Sequence, residues 1–346
     1  MGVFVGRAVL KLRRAVVVDE DPLAVEVDGE RRAAWADEGM VGEVREGDEV
    51  VVNTEALDLE LGSGGFDVVH VNLTRGLEGG GAGGEHVMKL NYTSLQHPVK
   101  PAERSAEQIE AGDAATPAVL VIPLHGHLAP AAWSAAQVPP ELRVGYVQTG
   151  GGALPGSLSR DVRELRERGL LCGHFTAGPA FGGELEAISV AGALDAAAGL
   201  GWDAVIAGPG PGILGSETRY GHGAMAAMDT AHAALALGMT TLLSPRFSGA
   251  DPRPRHRGVS HHTATVLEML LGRVQVPVPE DELTVGPALE PLLGSRHRTS
   301  RQPVDLDGYG KSGLPTKVMG RTLDEDPLFF AAALASGSAL GAASTG

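Results

Sequence analysis

The chain has 346 residues, enough for about two domains of roughly 100–200 residues each and for a sizeable core. With 49 Gly and 22 Pro, yet 43% hydrophobic and only 4% aromatic residues, it is neither collagen-like nor disordered, and its core is built from Ala, Val and Leu. Acidic residues outnumber basic ones by 43 to 28, and the net charge of −15 excludes bulk nucleic-acid binding, which needs Lys and Arg to displace counterions from phosphates.

Residues 1–95 read as short strands separated by turns, the pattern of a small β barrel or sandwich. Strands are expected at 15–18, 23–27, 49–53, 66–71 and 86–92, with turns at 28–29, 46–48 and 62–65. The glycine-rich run 79–84 reads as a hairpin loop, because no helix follows it to supply a dipole for a phosphate. Residues 96–117 turn polar, carry three prolines and read as a linker with one short helix at 106–111.

From 118 to 280 the pattern changes. Apolar runs of strand length at 118–123, 142–147, 171–175, 204–207 and 240–243 alternate with helical stretches at 130–136, 157–168, 184–200, 222–237 and 260–271. This repetition predicts a doubly wound α/β domain with a mainly parallel sheet, covered on both faces because its strands are apolar throughout. Residues 281–346 are expected to wrap that domain and to end in a helix over 326–335, started by Pro327, with a small-residue tail from 336. No uninterrupted apolar run of about 18 residues and no leader pattern is read. The expectation is a soluble, cytoplasmic protein with neither membrane nor nucleic-acid partner.

Ligands of open α/β sheets bind beyond the carboxyl ends of the strands, and the segments there hold the unusual residues. His125 and His127 follow the first strand, and Gly150, Gly151 and Gly152 the second. Glu184 lies after the third, and Gly210 and Gly212 after the fourth. Residues 251–262 follow the fifth and set Arg253, Arg255 and Arg257 against Asp251, a local charge of +2, with three histidines and Ser260 placed to cap a helix. That combination is the chemistry of an anion site, stiffened by Pro252 and Pro254. The competing reading is that these arginines pair with the protein's own acids.

A metal is the second reading, with His125, His127, His174, His256, His261, His262 and Glu184 as the ligand pool. Adjacent His261 and His262 point about 100° apart on a helix, so one of them at most is expected to face a given ion. Residues 210–215 match G-x-G-x-x-G after a strand, but no acidic residue ends the next strand to hold a ribose. Gly310-Lys311-Ser312 lacks the first P-loop glycine and a following helix. Cys172, the one cysteine, forms no internal disulfide or thiolate cage and reads as a small buried thiol.

The blocks 62–65, 86–90, 173–187, 251–263 and 319–327 resemble a bacterial family catalogued as a domain of unknown function, number 3866. The resemblance covers nearly the whole chain, with 251–263 its most specific part, and it implies no activity. Gly215-Ser216-Glu217-Thr218-Arg219-Tyr220-Gly221 is also similar to the segment after the selenocysteine in the large subunit of glycine, sarcosine and betaine reductases. Leu214 stands at the aligned redox position, so reductase chemistry is not implied, only a related α/β fold.

Two functions follow. The first is binding of a small anionic ligand at the sheet's carboxyl edge, with turnover if the protein is an enzyme. There Arg253, Arg255 and Arg257 hold the anion, Gly150–Gly152 and the 208–212 backbone approach it, and His125, His127 or His261 serves as general base or metal ligand. The alternative is a non-catalytic module whose Ala-rich helices face a second copy or a partner, and a homo-oligomer is expected in either case. The sequence names neither reaction nor cofactor.

Overall fold

The computed structural model describes residues 9–60, 64–79, 81, 87–105, 116–281 and 284–345. The helix expected at 106–111 lies outside them, as do residues 62–63 of the expected turn and residues 80 and 82–84 of the glycine run. The chain forms two compact units, Met1–Pro98 and Val99–Gly346.

The first unit is a closed barrel of β1 (Leu12–Glu20), β2 (Leu23–Val27), β3 (Glu30–Trp35), β4 (Glu49–Asn53) and β5 (Asp67–Asn72), in the order β1-β2-β3-β5-β4. Short helices α1 (Glu38–Val41) and α2 (Glu55–Asp58) connect its strands. Ala15, Val17, Val25, Val27, Val50, Val52 and Val69 fill the interior, as period-two patterning dictates. The third strand goes unread in the sequence because charged Glu30-Arg31-Arg32 follows the 28–29 turn without apolar alternation; Arg32 is held by Asp67 (2.6 Å) and Asp58 (2.6 Å). A two-stranded sheet joins β6 (Val87–Lys89) to β7 (His97–Val99).

The second unit is built on an eight-stranded sheet in the order β11-β10-β9-β12-β8-β13-β16-β17, parallel throughout. Its strands are β8 (Ala118–Val121), β9 (Val144–Thr149), β10 (His174–Ala177), β11 (Leu185–Ala187), β12 (Ala204–Pro209), β13 (Thr241–Leu243), β16 (Gln275–Pro279) and β17 (Arg298–Gln302). Two small antiparallel ribbons complete it: β14 (Phe247–Ser248) with β15 (Gly258–Val259), and β18 (Lys317–Val318) with β19 (Arg321–Thr322).

Helices cover both faces. On one lie α3 (Leu128–Ala135), α4 (Arg160–Glu167), α9 (Leu306–Lys311) and α10 (Pro327–Ser344). The other carries α5 (Val190–Gly199), α6 (Met225–Ala236), α7 (His261–Met269) and α8 (Gly286–Leu293). Alternate residues of each central strand feed the two cores: Val119 and Val121 join one, Leu120 and Ile122 the other. This is the doubly wound architecture, and neighbours β8 and β12 send their helices to opposite faces, which opens a crevice past their carboxyl ends.

Three expectations change. The helix expected over 184–200 begins instead with an edge strand at 185–187, and Ser189 caps the helix by accepting from the Gly192 amide at 2.9 Å. Strand β16 is an unread strand at the end of the expected α/β domain, hidden by proline at 277 and 279, and β17, masked by charge, extends the sheet where a wrapping segment is expected. The small-residue tail from 336 is the second half of α10. Ser336 bonds back to Ala332 (2.7 Å), and a Cβ at Gly337 would run into the Ala131 backbone, so small residues let α10 lie directly on α3. By length and composition α10 suits a membrane span, but Phe329, Phe330, Leu334 and Leu340 are buried in the core.

Candidate functional site

The carboxyl edge carries two separate histidine groups. The first is assembled from the loop after β12 and the chain from β14 to α7. Gly215 bridges to His222, and the Nε2–H of His222 donates to the Arg219 carbonyl at 3.0 Å. The β14–β15 ribbon folds the 249–257 loop back, so that Ser260 N–H reaches the Arg246 carbonyl (3.0 Å) and the Arg246 amide reaches Thr263 Oγ1 (2.8 Å). Ser260 caps α7 through the His262 amide (3.2 Å) and also meets His256 Nδ1 (2.7 Å).

Four imidazoles meet there. The His222 and His262 rings stack 4.0 Å apart, His261 lies 4.4 Å from His262 and 5.2 Å from His222, and His256 lies 4.8 Å from both His261 and His262. Adjacent His261 and His262 therefore face one point, against the expectation that they diverge. Both occupy the first turn of α7, where no preceding turn restricts their rotamers. His222 Nδ1 and His261 Nε2 are buried without a partner.

Arg246 underlies the cluster, 1% exposed. It donates to Asp251 (3.1 Å) and, at 3.3 Å, to His262 Nδ1, while its Nε has no partner. Asp251 also takes Arg253 (2.9 Å) and Arg321 (3.3 Å), and Arg321 reaches Asp326 (3.0 Å). Three guanidiniums thus share two carboxylates. Burial pulls Arg246 down to about 10, partly offset by Asp251. Burial also lowers His262 to about 2, with His222 and Arg246 adding, and His256 to about 3, with Arg246 and Arg253 adding. At neutral pH all these rings present lone pairs rather than charge.

The other arginines are partly spoken for. Arg253 is bidentate on Asp251, Arg255 pairs with Glu217 (3.0 Å), whose side chain is 77% exposed, and Arg257 reaches only the Asp251 carbonyl. The glycines of the crevice meet one another. A Cβ on Gly151 would strike the Gly223 carbonyl, and one on Gly152 the Gly210 carbonyl, while Ala153 N–H bonds the Pro211 carbonyl at 2.7 Å. Gly150 packs beside Pro179, and Gly212 serves a positive-φ turn (φ 69°). These glycines bring the 151–153 loop against the 210–223 loop, which places His222.

The second group is His125, Tyr146 and His174. His125 Nδ1 faces the Pro209 carbonyl (3.3 Å) and its Nε2 meets Ser159 Oγ (2.8 Å), with Asp161 at 3.8 Å from that same nitrogen. A Ser-His-Asp relay needs the serine and the acid on opposite nitrogens, and Ser159 Oγ already caps α4 through the Val162 amide (3.1 Å). His174 stacks on Tyr146 at 5.4 Å and lines a cavity of about 270 Å³ with Arg163, Arg166 and Glu184. Glu184 is bound to Arg166 at 2.6 Å, and burial lowers His174 to about 4. His127 joins neither group: it sits fully buried against Phe329 and bonds Ser244 (2.8 Å). Burial raises the Cys172 thiol.

His222 and Arg246 are absent from the residues singled out in the sequence. His222 stands there at the start of an expected helix, and Arg246 falls in the loop after the fifth expected strand. The signal available was a histidine ending a glycine-bracketed loop after the fourth strand.

Barrel, parallel sheet and carboxyl-edge cluster define a two-unit β plus α/β protein. The chain belongs to the family described as protein of unknown function (DUF3866), whose pattern matches residues 33–337. No curated protein and no solved structure matches the chain. The likeness of residues 215–221 to the reductases stays a resemblance, with Leu214 exposed in the loop.

Proposed function

We propose that the α/β unit binds a small anionic ligand at the carboxyl edge of its sheet, beside His222, His256, His261 and His262. The observation that carries this reading is Arg246: a fully buried guanidinium that shares Asp251 with two other arginines and leaves Nε unsatisfied. A buried charge with a fraction of a counter-ion is costly, and an arriving carboxylate or phosphate supplies what is missing. Arg253 and Arg255 are the more exposed cations at the same place, their own partners lying within reach of exchange. His261, partly exposed and with an unpartnered nitrogen, is the group placed to exchange a proton with the ligand.

The test is ligand-induced thermal stabilisation with inorganic phosphate, sulfate and small carboxylates. Stabilisation is expected in the parent protein and should be reduced in Arg255→Ala and lost in His261→Ala. An unchanged response in both variants overturns the reading.

A further inference from the structure

We propose that His222, His261 and His262 hold one divalent transition-metal ion, with the anion of the preceding section as its co-ligand. The co-ligand rests on that reading; the metal does not.

One ligand nitrogen from each of the three rings lies within 4.8 Å of the others, and among the described residues this is the group that converges so. The tautomer of His222 is fixed by its surroundings. A carbonyl only accepts, so the bond from Nε2 to the Arg219 carbonyl puts the proton on Nε2 and a bare lone pair on Nδ1. That Nδ1 is buried and unpartnered on a side chain only 7% exposed. A histidine that donates one nitrogen to a backbone carbonyl and aims the other into a cluster has the support metal ligands receive. His261 Nε2 is a second buried, unpartnered nitrogen at the same point.

Three imidazoles without thiolate suit zinc or its neighbours in the first transition series, and three protein ligands leave a fourth position open. The third ligand ties metal to anion. His262 Nδ1 now accepts from Arg246 at 3.3 Å. Ligation through Nδ1 displaces that contact directly, and ligation through Nε2 moves the ring proton to Nδ1, where Arg246 opposes it. Either way an Arg246 N–H is released beside the open coordination position. An anion there neutralises the ion and satisfies the guanidinium together, which a bare dication among arginines does not.

The experiment is equilibrium dialysis of chelator-stripped full-length protein against zinc(II), followed by cobalt(II) substitution and visible spectroscopy. One ion per chain is expected, with ligand-field bands of a low-symmetry site carrying imidazole nitrogen. His222→Ala and His261→Ala should each weaken binding by about 100-fold or more, beyond the 10–100-fold typical of supporting residues, while His70→Ala in the barrel leaves it unchanged. Circular dichroism checks that each variant is folded. Sub-stoichiometric zinc, or zinc bound equally by both cluster variants, overturns the proposal. Phosphate stabilisation of the stripped protein without zinc binding sinks the metal alone; zinc binding without any anion response sinks the preceding reading alone.

Discussion

His127 and His222 each bury a ring nitrogen that has no hydrogen-bond partner, yet they sit in opposite surroundings. His127 lies under α10, edge-on to Phe329, and its Nδ1 meets a serine that is itself bonded to Ser336. Its orphaned nitrogen belongs to no converging group of ligand atoms among the described residues. His222 stacks on His262 with His261 nearby, and a ring nitrogen of each of the three lies close to those of the other two. An unsatisfied nitrogen is therefore a weak sign of a site by itself. Convergence of several, over a guanidinium short of counter-charge, is the stronger one.

Asp251→Ala breaks the arginine platform beneath the cluster and carries the largest expected effect. It leaves buried Arg246 without a carboxylate partner and Arg321 with Asp326 alone, and removes both bidentate bonds of Arg253. Breaking a buried pair from one side costs about 3–5 kcal/mol, which urea unfolding reads directly. A loss below about 1 kcal/mol means that the guanidiniums already have another counter-ion, and the charge argument for the site falls with it.

His127→Leu tests the other half of the comparison through pH. Burial lowers His127 from 6.5 to about 3 in the folded protein, with Arg246 adding to the effect. Between those values the unfolded chain binds the proton and the folded one does not, so stability is full above pH 6.5 and is lost as pH falls toward 3. One such group contributes a slope of about 1.4 kcal/mol per pH unit. The substitution keeps an apolar contact with Phe329 and leaves Ser244 its bond to Ser336, so the variant's stability should depend less steeply on pH across that window. An unaltered slope means His127 is protonated in place. Anion and zinc binding should be untouched.

How much of this was legible in the sequence depends on whether a signal is local. The parallel sheet was, because strand-length apolar runs at 118, 144, 174, 204 and 241, all but the last leading shortly into a glycine loop, repeat a local pattern. Strand β3 and strands β16 and β17 were not, since charge and proline mask strands whose partners are distant in sequence. The site was half legible. His261, His262 and the arginines stood out as a dense segment, but their grouping with His222 depends on the Gly151–Gly223 and Gly152–Gly210 contacts. Those glycines read as ligand-cradling loops, whereas they bring one loop onto another. Likewise His125, His174 and Glu184 lie on the same edge, but Tyr146 and the α4 cap hold them in a separate group.

The smallest structural effect and the finest discrimination come from a pair of half-buried arginines. Arg255 pairs with Glu217 beside the histidine cluster, and Arg166 pairs with Glu184 beside the His174 cavity. Both pairs reach solvent through their glutamates and are worth at most about 1 kcal/mol to the fold, so Arg255→Ala and Arg166→Ala should melt close to the parent. They differ in what they face. Arg255 stands near His261 with its Nε unpartnered, and an anion at the cluster can take over its guanidinium from Glu217. Arg166 is committed on all sides, to both oxygens of Glu184 and to the Leu171 carbonyl. Calorimetric titration with phosphate should therefore show about ten-fold weaker binding for Arg255→Ala, the loss of one charge-assisted contact, and no change for Arg166→Ala. Raising the salt should narrow that difference, because the contact is exposed and screened. If Arg166→Ala is the variant that weakens binding, the anion belongs to the cavity beside His174 and the two histidine groups exchange roles.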